Sequence, residues 1–224
     1  MADEPLGLTV HSMPSPSEAL DGAEARRTMS GRWKMIAVLL CCAAPVIASY
    51  FTYYVIRPEG RRVYGELIDP QRPLPAFTAA TPEGRPVLLP SLKGQWLLVT
   101  VADAACDALC EQNLYFQRQL REILGREKDR VDRVWFVSDD APVPERLASG
   151  LHGATVLRLS AEQLAQWLAP AAGHALAEHL YVVDPMGNWM MRFPARMDKA
   201  GAAKAKRDLD RLLRASNSWD DAGR

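Results

Sequence analysis

An α/β fold is predicted by three features of the chain. Gln95–Val101 (QWLLVTV) is a continuous apolar run, residues 106–124 follow it with helical periodicity, and Val131–Val137 (VDRVWFV) forms a second apolar segment. An unalternating apolar run suits a central strand covered on both faces, and a helix leading to another such strand is the parallel crossover arrangement.

The helix over 106–124 places Leu109, Leu114, Phe116, Leu120, Ile123 and Leu124 as its apolar positions, and Gly125 supplies a stop. Ser138-Asp139-Asp140 ends the second strand, and Ala161–Leu168 has helical character. Leu180–Val183 and Trp189–Phe193 flank Asp184-Pro185-Met186-Gly187, whose proline and glycine suit a type I turn, so a β-hairpin is expected. A last amphipathic helix runs from about Asp198 to Ala215 through Leu209, Leu212 and Leu213. Strand, helix, strand, and later a hairpin with a terminal helix, is the thioredoxin-like order. The domain is placed at residues 76–215, with a C-terminal tail at 216–224.

Outside that domain one segment stands apart. Met35–Ile56 is 22 residues without a charge, bounded by Lys34 and Arg57. As a helix it is about 33 Å long, enough for a hydrocarbon core of about 30 Å. Trp33 at one end and Tyr50, Tyr53 and Tyr54 at the other suit interfacial anchors. A cleaved signal peptide is disfavoured by the length, the late start and the aromatic end. A lipoprotein cysteine after Leu39-Leu40 lacks the small residue expected before it. A retained transmembrane helix at 33–56 is the reading, with a disordered cytoplasmic tail at 1–32 and an extended linker at 57–75, where Pro58, Pro70, Pro73 and Pro75 lie among charges. Arg26, Arg27, Arg32 and Lys34 before the span nearly balance Arg57, Arg61, Arg62 and Arg72 after it, so charge does not orient it. The cysteine-bearing domain is placed outside the cytoplasm, where disulfides persist. With 27 basic and 27 acidic residues, and with acids interleaved among the bases of the final helix, nucleic acid is not expected as a partner.

Cys106 and Cys110 are the two cysteines outside the apolar span; Cys41 and Cys42 lie within it and read as apolar filler. Four residues is about one helical turn, so both sulfurs are expected on one face near the start of a helix. Such a pair can close a disulfide or hold a soft metal such as Cu(I), and it can equally be two small buried side chains. His179, beside the first hairpin strand, is a candidate third ligand; a satisfied strand histidine is the plainer reading. His174 follows it, with His152 and His11 further behind. Met186, Met190, Met191 and Met197 cluster near the hairpin and read as packing.

Tyr64-Gly65-Glu66-Leu67, Leu74-Pro75-Ala76-Phe77, the stretch from Pro90 to Val99, Cys106-x-x-x-Cys110 and Tyr181-Val182-Val183-Asp184-Pro185-Met186-Gly187 occur in an order that resembles the Sco/SenC family. These are membrane-anchored thioredoxin-like proteins that help assemble the copper centre of cytochrome c oxidase. The resemblance covers about residues 64–215. It implies copper as the cofactor, Cys106, Cys110 and His179 as ligands, the cysteines as a redox pair, and a cytochrome c oxidase subunit or another copper or thiol client as partner. It places the protein in a bacterial inner membrane as a single-pass protein with a periplasmic domain. The chain departs from the family at Asp107 and Glu111, where prolines usually follow the cysteines, and at Leu176, which holds the usual histidine position. A general thiol–disulfide oxidoreductase is the first alternative, although the spacing is not Cys-x-x-Cys and no proline directly precedes the hairpin strand. A scaffold with a degenerate metal site is the second. A peroxidase is disfavoured by Asp103, where a threonine or serine is needed.

Overall fold

The computed structural model describes residues 16–56 and 63–216, with side chains from residue 31 onward. They form two separate units, divided at Arg61.

The first unit is a helix, α1 (Pro16–Phe51), continued by a π-helical turn, Thr52–Ile56. Its segment Gly31–Val55, 25 residues of mean hydropathy 2.1, is the one helix among the described residues long and apolar enough to cross a membrane. None of that segment is buried, and so large an apolar surface needs a non-aqueous covering. Pro45 sits inside the helix, and the Thr52 hydroxyl donates to the Ala48 carbonyl at 2.7 Å.

The helix corrects the disordered tail expected over 1–32. From Pro16 the chain is already helical, and residues 1–15 lie outside the described residues. Residues 18–27 are rich in Ala, Glu, Leu and Arg, which have high helix propensity. Extending an existing helix avoids the unfavourable nucleation step.

The second unit is an eight-stranded mixed sheet in the order β1-β8-β7-β4-β5-β6-β2-β3. Its strands are β1 (Glu66–Pro73), β2 (Thr78–Ala80), β3 (Pro86–Leu88), β4 (Trp96–Ala102), β5 (Val131–Val137), β6 (Ala154–Arg158), β7 (Leu180–Val183) and β8 (Asn188–Arg192). The helices are α2 (Ala108–Glu122), α3 (Ala148–Leu151), α4 (Ala161–Trp167) and α5 (Lys199–Ala215). β4, β5 and β6 run parallel, β7 lies antiparallel to β4, and β8 antiparallel to β7. The thioredoxin-like expectation therefore stands.

The linker expected over 57–75 is corrected in its second half. Residues 57–62 lie outside the described residues, but β1 pairs with β8 from Glu66↔Arg192 to Pro73↔Asn188. An edge strand tolerates Pro70 and Pro73, and the register shift between Leu67 and Arg72 takes up the irregularity. At the other end α5 stops at Ala215, and the tail expected over 216–224 lies outside the described residues from 217.

β4 is buried along its whole length. Its alternate residues Leu97, Val99 and Val101 enter a core with Val134, Phe136, Leu157, Leu164 and Trp167. Trp96 and Leu98 enter a second core on the other face, with Phe116 and Leu120 of α2 and Leu209 and Leu213 of α5. Period-two alternation thus feeds two apolar layers at once. Gln117 of α2 donates from Nε2 to the Leu98 and Val134 carbonyls at 2.7 and 2.9 Å, fastening the helix over the β4–β5 pair.

The start of the domain is held by a buried carboxylate. Asp208 Oδ2 accepts the backbone N–H groups of Tyr64 (2.6 Å) and Gly65 (3.0 Å). Hydrogen bonds to an ionised group contribute about 1.5–3 kcal/mol each, and removal strands buried donors. Asp208→Ala is expected to lower unfolding stability by about 2–3 kcal/mol, read as a fall in the urea midpoint at unchanged slope.

Candidate functional site

β4 delivers its C-terminal end, Ala102, to a short loop that carries the first cysteine. Ala104 N–H donates to Asp139 Oδ1 (3.0 Å) and Cys106 N–H to the Asp103 carbonyl (3.1 Å). The Ser138 hydroxyl bonds the Asp103 carboxylate, joining the ends of β4 and β5. Asp107 caps α2: its Oδ1 accepts the Cys110 N–H at 2.9 Å. Aspartate is among the preferred residues for that position.

Cys106 and Cys110 are joined in a disulfide with Cα atoms 5.1 Å apart. The expectation that both sit on one helical turn needs correcting. Cys106 precedes the cap and has φ +46°, in the left-handed region, while Cys110 occupies the first turn of α2. A left-handed non-glycine residue costs about 1–2 kcal/mol. The capping bond and the loop bonds around it hold that conformation.

The pair is deeply covered, at 3% exposure for Cys106 and 2% for Cys110. Ala102, Ala104, Leu114, Trp135 and Val137 pack around them, with Val143, Leu147, Leu151 and Val156 laid against that cluster. The small-buried-residue reading is therefore right about packing, though the sulfurs are also bonded. The outer part of the cover is a segment with no buried residue of its own, Glu145–Leu151. Arg146 ties it down, donating from Nη2 to the carbonyls of Ala105 (2.8 Å) and Cys106 (3.0 Å) and from Nε to Glu111 (3.1 Å). Arg133 holds the far end through the carbonyls of Gly150 and His152.

His179 lies at the end of the loop before β7, which is fastened to α2 by Asn113 Nδ2 donating to the Ala177 carbonyl at 2.9 Å. It is buried and fully engaged. Nδ1 donates to the Phe193 carbonyl (2.8 Å), and Nε2 accepts the Ala171 N–H (3.2 Å). That pattern fixes the neutral tautomer, and burial pushes the imidazole below its ordinary pKa. His174 pairs with Glu178, which also binds Arg196. Met191 and Met197 are core residues, as expected, and Met186 is exposed.

Cu(I) takes thiolate and imidazole donors whose lone pairs are free. Disulfide sulfurs offer no thiolate, and both ring nitrogens of His179 are already hydrogen-bonded. Among the described residues no group of three or more His, Cys, Asp or Glu side chains is placed to hold a metal ion. The arrangement does not fit a three-ligand Cu(I) site; His179 serves the loop. Arg146, Asp107 and the Leu147–Leu151 cover are the site residues that sequence reading missed. A lone arginine in a polar loop gives no signal, whereas an aspartate directly before a helix is a recognisable cap.

A thioredoxin fold carrying a covered disulfide at the start of its first long domain helix defines the class. The chain matches the family described as "Transmembrane-like, thioredoxin-like, C-terminal domain" over residues 96–216 and belongs to it. No curated protein matches the chain in sequence. Among solved structures it is similar in fold to a SCO1/SenC family lipoprotein from Bacillus anthracis, at 18% identity over 65% of this chain and 99% of that one, TM-score 0.50. Apo Sco1 from Thermus thermophilus is 21% identical over 68% of this chain and 96% of that one, TM-score 0.49. Arabidopsis thaliana ScoI, solved with copper bound, is 14% identical over 68% and 99%, TM-score 0.48.

The neutral state of His179 sets a pH dependence. Its folded pKa lies below the unfolded value of about 6.5. As pH falls through that value the unfolded chain takes up a proton that the folded one refuses, so stability is lost toward acid. The urea midpoint is expected to fall between pH 7.5 and 5.5, the window of about one unit either side of that value. His179→Asn, which keeps a donor toward Phe193 and does not titrate, should flatten this part of the slope.

Proposed function

We propose that this is a membrane-tethered thiol–disulfide protein, exchanging electrons with client cysteines through Cys106 and Cys110. The one observation that carries this reading is the disulfide itself, closed across the start of α2 at the end of β4. A client thiolate attacks one sulfur, the Cys106–Cys110 bond breaks, and the released sulfur leaves as a thiolate. A second client thiolate then attacks the mixed disulfide, leaving a client disulfide and the reduced pair. Two electrons pass, and both protein thiolates are protonated from water.

The Sco/SenC resemblance and the likeness of fold support a client in cytochrome c oxidase copper-centre assembly. Run in reverse, with the reduced pair attacking a client disulfide and ending as the Cys106–Cys110 bond, the same exchange makes the protein a thiol reductant of copper-binding cysteines. The apolar helix Gly31–Val55 supports a single-pass anchor. A disulfide that persists favours the periplasmic side of a bacterial inner membrane. Direct copper carriage is the weaker reading, because its third ligand is occupied.

The full chain in detergent, equilibrated in redox buffers and assayed for free thiols, is expected to gain two thiols beyond Cys41 and Cys42 on reduction. Cys106→Ser and Cys110→Ser should each abolish that gain. A potential between about −270 and −120 mV supports the reading, whereas one below about −300 mV marks a structural disulfide and overturns it. Cu(I) titration of the reduced chain is expected to show no dependence on His179. Arg146→Ala should speed reduction by dithiothreitol several-fold, because it removes the bonds to the Ala105 and Cys106 carbonyls that hold the cover over the disulfide.

A further inference from the structure

Beside the disulfide lies an open groove of about 350 Å³. One wall is α2, through Leu114, Tyr115 and Arg118; the other is the covering segment, through Arg146, Leu147 and Leu151. Leu114 belongs to the apolar cluster around the disulfide, and Leu147 and Leu151 pack against that cluster. The side chains that seal the sulfurs therefore also floor the groove. Tyr115, on the α2 wall, is 56% exposed and leaves an aromatic face open to the groove.

The charge at the rim is lopsided. Glu111 is engaged by Arg146, whose guanidinium also serves two backbone carbonyls. Arg118 is exposed, and no acidic partner is found for it among the described residues. An apolar floor with an uncompensated guanidinium at its lip fits an apolar side chain next to a carboxylate.

We propose that this groove docks the client segment next to its reactive cysteine, selecting an aromatic or large aliphatic residue beside an acidic one. The inference rests on the redox reading above and adds the class of substrate. Docking there places the client against Leu147 and Leu151, the part of the cover that has to shift before a thiolate can reach sulfur. Recognition and uncovering then use the same side chains.

The test uses three blocked thiol peptides, Cys-Gly-Phe-Glu, Cys-Gly-Phe-Lys and Cys-Gly-Gly-Glu, as reductants of the oxidised full chain in detergent. Each rate is divided by that peptide's rate on oxidised glutathione, which removes differences in intrinsic thiol reactivity, and dithiothreitol is run as a reductant without side chains. The Phe-Glu peptide is expected to exceed the Gly-Glu peptide by about tenfold, the scale of one apolar group in a pocket. It should exceed the Phe-Lys peptide by a factor that shrinks in high salt. Arg118→Gln should erase the charge preference and Arg118→Glu should invert it. Equal normalised rates for the three peptides, or a charge preference unchanged in Arg118→Glu, overturns the groove while dithiothreitol reduction leaves the redox reading standing. Failure of every thiol to reduce the folded chain defeats both.

Discussion

Burial of β4 on both faces is the constraint from which the site follows. A strand covered above by α2 and α5 and below by α4 cannot shift its register by one residue without sending every side chain to the wrong layer. Pairing over seven consecutive positions with β5 on one side and four with β7 on the other locks it laterally as well. The end of β4 is therefore a fixed point, and the loop that carries Cys106 begins there. Gln117, bonded to backbone carbonyls of both β4 and β5, sets α2 against the same strand pair. Both cysteines are thus positioned from one rigid platform, Cys106 through the strand and Cys110 through the helix.

The cover over that platform is built differently. β4, β5 and β7 bury nearly every residue, but Glu145–Leu151 buries none and is held mainly through arginine side chains bonded to backbone carbonyls. Local openings are drawn from such segments, which have few buried apolar contacts and exposed hydrogen bonds. The Arg146–Glu111 pair, half exposed at both partners, adds about 1 kcal/mol at most. A rigid disulfide under a weakly held lid can be both protected from adventitious thiols and reachable by a partner that displaces the lid.

Sequence carried much of this fold and less of the site. Val131–Val137 was legible residue for residue, and β4, α4, the hairpin and α5 were placed to within a residue or so, because each is long enough to show a period or is marked by turn residues. β2 and β3, three residues each, are too short for alternation, and β6 buries a single residue. β1 was hidden by its prolines, which an edge strand accepts and a central strand does not. The cysteine pair was legible from spacing, but its conformation was not. Asp107, which stands where the related pattern has proline, is the cap that ends the loop and starts the helix. Arg146 is 36 positions from Cys110 in the chain and came within reach only through the tertiary fold.

His179 shows most clearly why a family pattern and a local environment can diverge. The imidazole bridges the loop at Ala171 to the strand end at Phe193, so its nitrogens satisfy backbone groups that would otherwise be buried without partners. Freeing it for a metal would expose that cost, and its depressed pKa reflects the same enclosure. Leu176, at the position where the related pattern has histidine, gives its carbonyl to the buried Tyr181 hydroxyl. A three-coordinate metal site would need this loop remade, whereas two-electron exchange needs only the two sulfurs and a way for a third to approach in line.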